Sequence, residues 1–170
     1  LCEEHGGRYA EHKRFSKAVM DLPPARQKQM IETYYQGDGS VSREGLLVRV
    51  RAATVSRQLA FQIQELLARQ GIYACINVRE PFDERMRDGK VVRHKRKYTL
   101  FYARNTQSKR AKLRVGYFLV PVRRIARQPY DGYVYNFETA DKPHSYLVKG
   151  FAVHNCTAPI RDENQLHAAV

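Results

Sequence analysis

The stretch LPPARQKQMIETYYQGDGSV, residues 22–41, decides how the first half of the chain folds. Pro23 and Pro24 suit a helix start, because the first turn leaves its N–H groups unpaired and gains from a fixed φ. Met30, Ile31, Tyr34 and Tyr35 then recur at the three- and four-residue spacing of one helix face. Gly37 and Gly39 bracket Asp38, so the pattern predicts a helix closing on Asp38. A carboxylate there meets the negative end of the helix dipole unless a cation compensates it. Asp38 is therefore either a turn aspartate at a helix stop or a metal ligand.

Downstream, GLLVRVRA (45–52) alternates Val48 and Val50 with Arg49 and Arg51, the period of a strand with one basic face. From Thr54 to Gln70, Val55, Leu59, Ile63, Leu66 and Leu67 recur at helical spacing, with Ser56 placed to cap the start and Gly71 to end it. IYACINV (72–78) reads as a second strand, and RDGK (87–90) as a turn into VVRHKRKYTLFYAR (91–104). If that last stretch is extended, Arg93, Lys95 and Lys97 share a face. Near Val115 the character changes to short β-rich runs, VGYFLVPVRRIARQ, GYVYNFETA, HSYLV and FAVHN, separated by Gly or Pro. After Cys156 this patterning fades.

Lys and Arg outnumber Asp and Glu by 30 to 17, for a net charge of +13. Such a field attracts polyanions, nucleic acid foremost, although a solvated basic surface has the same composition. Cys2, Cys75 and Cys156 follow neither a disulfide nor a metal-ligand spacing, as in proteins of a reducing compartment. The longest apolar runs fall far short of the ~20 residues of a membrane span. The chain opens on Leu1 in mid-pattern, which points to a segment of something longer.

Taken with its context, MIETYYQGDGSV followed by strand, helix and strand resembles the C-terminal dodecapeptide copy of LAGLIDADG (DOD-type) homing endonucleases of the kind carried inside inteins. That resemblance implies an α+β fold. A partial αββα endonuclease domain would span 1–114, and the all-β C-terminal segment of a Hint splicing domain 115–155. It also implies a Mg²⁺ site at Asp38 and Gly37, and double-stranded DNA held by Arg43, Arg49, Arg51, Arg93, Lys95 and Lys97. HKRFSK (12–17) is similar to the intein block that supplies a catalytic lysine, which would be Lys13; a solvated basic turn reads the same way. The family's usual Pro and Gly are here Ser16 and Thr33.

GYVYNFETADKPHSYLVKGFAVHNC (132–156) resembles the last two blocks of the Hint domain, with His154, Asn155 and Cys156 as the splice junction. The Asn155 amide can close a succinimide on its own carbonyl and expel Cys156 as an amine. That step needs no cofactor, only a proton acceptor and donors at the carbonyl. By resemblance His144 is the acceptor, His154 assists at the scissile bond, and Cys156 is the nucleophile that receives the upstream segment. Asn136 stands where the family often has Asp. The resemblance further implies that residues 156–170 begin the downstream extein, that the partners are the host protein and the missing N-terminal intein half, and that location follows a cytoplasmic host. Two rival readings are a free-standing DNA-cleaving enzyme and a decayed DNA-binding module without splicing.

Overall fold

The computed structural model describes residues 6–104, 110–133, 135, 139–140, 144–148 and 150–154. The chain divides into two units, Leu1–Pro121 and Val122–Val170.

In the first unit a short helix α1 (Lys17–Met20) is capped by Ser16, whose Oγ accepts from Val19 N–H at 3.4 Å. The residue that departs from the family's Pro thus starts a helix by a different device. Helix α2 (Pro24–Asp38) follows with Pro at its first position, as the sequence predicts. Thr33 Oγ1 donates to the Gln29 carbonyl one turn back at 2.9 Å. Strands β1 (Gly39–Glu44) and β2 (Leu47–Thr54) then form a hairpin. Its two-residue loop starts on Gly45 at φ +58°, a left-handed angle that glycine adopts without strain. Helix α3 (Arg57–Arg69) carries Ser56 as its cap, with Leu59 N–H on Ser56 Oγ at 3.2 Å.

Strands β3 (Cys75–Arg79) and β6 (Lys97–Ala103) complete an antiparallel sheet of order β1-β2-β6-β3. Between them β4 (Phe82–Arg85) and β5 (Val91–His94) pair as a separate ribbon, and β7 (Lys112–Arg114) and β8 (Tyr117–Leu119) form a further hairpin. The expected 114/115 boundary falls in the turn of that hairpin.

Helix α3 buries Leu59, Ala60, Ile63, Leu66 and Leu67 against Tyr98 and Leu100 of β6, with Ile31 of α2 in the same cluster. At ~1.5–3 kcal/mol per buried large aliphatic side chain, this face supplies most of the driving force of the unit. Val50 and Ala52 are also buried, on the same side of β2, so both helices cover one sheet face and leave the other open.

One sequence expectation is extended and one needs correction. The expected αββα order is present as α2, β1, β2 and α3, with β1 unforeseen, and two more sheet strands, β3 and β6, follow it. And VVRHKRKYTLFYAR is not one strand: β5 ends at His94 and β6 begins at Lys97. The break arises because Val91–His94 finds its partner locally in Phe82–Arg85, where the His94 ring stacks on Phe82 at 4.4 Å, while Lys97–Ala103 pairs with β2 and β3.

In the second unit β9 (Ser145–Val148) and β10 (Phe151–His154) pair antiparallel across a turn at Gly150, φ +85°. No helix among the described residues is long and apolar enough to cross a membrane.

Candidate functional site

Polar chemistry in the first unit gathers in two places. The first is the open sheet face, whose membership follows from register. Arg49 and Arg51 on β2 lie across from Ala103 and Phe101 on β6, and Lys97 at the start of β6 lies across from Arg79 on β3. From β1, Ser42 and Ser40 pair with Arg49 and Arg51. The guanidinium of Arg110 sits over the Phe101 ring, 5.8 Å from its centroid, with Nη1 3.7 Å from Cys75 Sγ. Glu44 is the acidic residue of the face and pairs with Arg49 at 3.3 Å. A surface so weighted toward cations and hydroxyls suits phosphates and the acceptor-rich base edges of a major groove.

The second place is a cavity of about 240 Å³ at the rim of the sheet, where α2 ends, β2 leaves and β6 begins. Ala10, Ala53, Val55, Leu59 and Tyr34 line it, and Lys13, Asp38, Thr54 and Lys97 supply its polar groups. Asp38 arrives there as the last residue of α2. Gly39 makes that exit possible: its N–H bonds the Tyr35 carbonyl, and a Cβ on it would stand 2.2 Å from the same oxygen. Gly37 has open space around its Cβ position, so within this chain sterics do not demand glycine there.

Lys13 lies in a loop held from α3. Ser56 Oγ donates to the Lys13 carbonyl at 2.6 Å, and Gln62 clamps Phe15, accepting from its N–H and donating to its carbonyl, both at 2.8 Å. Three hydrogen bonds from one helix thus fix the backbone that carries the lysine.

Tyr34 is one helical turn before Asp38. Its hydroxyl is buried without a hydrogen-bond partner. Burial, and then the Asp38 charge, push its phenol up to about 12. Tyr35 packs edge-on between Tyr34 and Tyr102, at 5.6 and 5.5 Å, and its phenol is also raised, first by burial.

Of the six basic residues expected on DNA, Arg49, Arg51 and Lys97 share the open face. Arg43 does not: it pairs with Val48 and so has the parity of the helix-covered side, where it is exposed. Arg93 sits on the ribbon opposite Asp83, and Lys95 lies in the link, ion-paired with Glu11, whose carboxyl it pulls below the usual range. The expected common face of Arg93, Lys95 and Lys97 is therefore not formed, because the strand breaks between them. Arg79, Arg110, Tyr34 and Thr54 were not foreseen. Their membership depends on register or tertiary contact, for which the sequence carries no local signal.

In the second unit His144 takes φ +55°, an uncommon angle for a non-glycine residue, and its Nδ1 is 2.9 Å from the Thr139 carbonyl. A carbonyl only accepts, so Nδ1 is the donor in this contact, and in the neutral ring Nε2 is then the acceptor. His154 ends β10 and pairs with Ser145, next to His144. Asn136, Asn155 and Cys156 lie outside the described residues.

Residues 26–113 match the LAGLIDADG-like domain family, a homing endonuclease-type DNA-binding fold. An iron-sulfur cluster assembly SufBD family protein of Mycobacterium tuberculosis is 36% identical over 162 residues, covering 95% of this chain and 19% of that protein. An uncharacterized protein of Methanocaldococcus jannaschii is 24% identical over 88% of the chain and 20% of its own length, and a DNA polymerase of Thermococcus litoralis 20% identical over 84% of the chain and 10% of its own. The chain thus spans a fifth or less of these relatives. No solved structure matches it.

Proposed function

The chain belongs to the LAGLIDADG-like domain family, and from that premise we propose that its first unit is half of a homing-type DNA endonuclease that grips the duplex on the open sheet face and presents a phosphate to the Asp38 cavity. The observation that carries this reading is Lys97, which belongs to both places: it stands on the open face beside Arg79 and in the cavity wall with Asp38 and Lys13. A duplex lying across Arg49 and Arg51 would bring its backbone to that rim. Lys13, held by Ser56 and Gln62, would then place a fixed positive charge where negative charge builds on the phosphate oxygens.

Among the described residues no group of three or more His, Cys, Asp or Glu is placed to hold a metal. The cavity wall has one carboxylate, Asp38. That donor set fits Mg²⁺ as a shared ion, since Mg²⁺ keeps several waters and takes one or two carboxylates together with substrate phosphates. Asp38, with Gly37 beside it, would hold the ion; when bound it supplies Lewis-acid neutralisation at the phosphate and lowers the pKa of a bound water. The test is cleavage by this chain combined with its missing half: cutting should require Mg²⁺ and disappear in Asp38→Asn. Cutting that survives the substitution would remove Asp38 from the site.

A second activity is supported by His144. With Nδ1 donating to the Thr139 carbonyl, Nε2 of the neutral ring is the nitrogen that would accept the proton the Asn155 side-chain nitrogen loses on cyclising, and the ladder runs to His154, which precedes Asn155 in the chain. The unit would thus be the C-terminal splicing segment of an intein, with host sequence from Cys156 onward. The relatives are named for unrelated activities, iron-sulfur cluster assembly and DNA polymerase. An element that excises itself from different hosts accounts for a shared segment within both. Given a complementing N-terminal segment, mass spectrometry should find release of the peptide from Cys156 to Val170. A precursor that breaks at its upstream junction yet stays intact at Asn155 would refute this role.

A further inference from the structure

Arg79 is the last residue of β3, and its register with Lys97 gives it the parity of the open sheet face, where it is exposed. Its guanidinium lies over the Phe82 ring, 3.7 Å from the centroid. The same ring stacks on His94, its cross-strand partner in the ribbon, with centroids 4.4 Å apart and planes 9° from parallel. Two planar groups so close to one centroid must take its opposite faces, so Arg79, Phe82 and His94 form one column. The Glu84 carboxylate accepts from His94 Nε2 at 2.9 Å and fixes the imidazole at the far end. The guanidinium is thus held by its face and left open at its edge: its N–H groups have no hydrogen-bond or ion-pair partner among the described residues. Its neighbours differ. Arg49 is tied to Glu44, and Glu80, the carboxylate next to Arg79 in the chain, is taken by Arg96 at 2.7 Å. A guanidinium with a fixed plane and unused donors is a fork prepared for a planar pair of acceptors.

We propose that Arg79 is a DNA-phosphate contact held ready by Phe82, His94 and Glu84, its fork oriented so that two N–H groups meet two oxygens of one backbone phosphate. The proposal rests on the endonuclease reading above and gives the β4–β5 ribbon a task in it. β3 is an edge of the sheet, at the flank where the backbone of a duplex seated on β2 and β6 passes. Ordering a long side chain at the moment of binding weakens affinity, and a stack that orders it in the free protein removes that loss. Phe82 is therefore a positioning residue that acts through Arg79.

Salt dependence and coupling separate this role from a structural one. The probe is a short duplex DNA of arbitrary sequence, titrated with the full chain and its variants at several salt concentrations without added metal. Arg79→Ala should bind more weakly and flatten the fall of log K with log salt by a slope of about 1, because one counterion-releasing cation is gone. Phe82→Leu keeps that charge and loses the ring. Its line should run parallel to the parent's at about three- to tenfold weaker binding, the worth of ordering one such side chain. Phe82→Tyr, which restores the ring, should bind like the parent. In an Arg79→Ala background Phe82→Leu should change nothing. Arg79→Lys leaves the ribbon untouched and keeps the charge without the planar fork, so it too should run parallel and weaker. Equal losses from Phe82→Leu with and without Arg79 would overturn the proposal, since the ring would then act through the ribbon's fold. Parent-like binding by Phe82→Leu or Arg79→Lys would also overturn it, as would a Phe82→Tyr as weak as Phe82→Leu. An Arg79→Ala line coincident with the parent's would take Arg79 off the DNA while leaving a salt-sensitive parent as a DNA binder. A parent whose binding ignores salt would remove the endonuclease reading and this proposal with it.

Discussion

Replacing Ser56 by Ala should couple stability and site geometry in one measurable step. The side chain is fully buried and its oxygen does two things: it accepts from Leu59 N–H as the cap of α3, and it donates to the Lys13 carbonyl. Loss of the cap costs about 1 kcal/mol. Loss of the second bond leaves the Lys13 carbonyl without that donor, worth about 1–3 kcal/mol. Together the change should cost about 2–4 kcal/mol, a large share of the ~5–15 kcal/mol that holds a domain folded. For a unit of this size that is about 10 °C or more in Tm. Guanidinium unfolding followed by circular dichroism would measure it. Gln62→Ala, which frees Phe15 but leaves the cap, should cost less and still loosen the Lys13 loop, seen as faster amide exchange in that loop. A Ser56→Ala loss below about 0.5 kcal/mol, a fraction of one lost cap, would refute the idea that α3 fixes the lysine through this hydroxyl.

Further outcomes follow from the same geometry. In a reconstituted splicing precursor His144→Ala should slow the break after Asn155 by roughly 10²- to 10⁴-fold, the usual worth of a positioned proton-transfer group, read by the time course of peptide release; an unchanged rate would remove His144 from the step. Asn155→Ala should stop the break altogether, and any release of the Cys156 peptide from that variant would show a different cleavage chemistry. At alkaline pH the folded state should weaken, because burial raises the Tyr34 phenol from its ordinary 10 to about 12. The neutral form favoured by the fold is fully present below pH ~10, and its contribution is lost as pH rises through about 12. Unfolding should therefore accompany the ultraviolet signal of tyrosinate, and Tyr34→Phe should shift it to higher pH; an unshifted transition would mean that Tyr35 and Tyr102, both also raised, govern it.

Elements with a strong local pattern were legible in the sequence. The Pro start and Gly-flanked end of α2 and the cap and apolar stripe of α3 stand where spacing and capping chemistry put them; of the four β-rich runs expected after Val115, HSYLV and FAVHN are strands, VGYFLVPVRRIARQ is one only at Tyr117–Leu119, and GYVYNFETA has none among its described residues. Strand β1 escaped because Ser40, Ser42, Arg43 and Glu44 leave Val41 as its one strong β-former; its extended form comes from pairing with β2. The break at Lys95–Arg96 escaped because a run of charges does not show which partner each half will find. At the site, Asp38 and Lys13 were visible through their surroundings in sequence, and the structure does bring them to one cavity. Tyr34 read as core from its helical spacing. Only the packed structure shows a hydroxyl left without a partner. Arg79 entered the basic face through its register with Lys97, a pairing eighteen residues apart that no local pattern encodes.

The central claim is that duplex DNA lies on the open sheet face and reaches the Asp38 cavity. Photo-crosslinking of the chain to a duplex, followed by mass-spectrometric mapping of the modified peptides, tests it most directly. Crosslinks should fall on Arg49–Ala53, on Lys97–Phe101 and around Arg79, with Lys13 at the rim. Crosslinks confined to the ribbon residues Arg85–Arg93, or to the exposed side of α2 at Lys28 and Glu32, would contradict it.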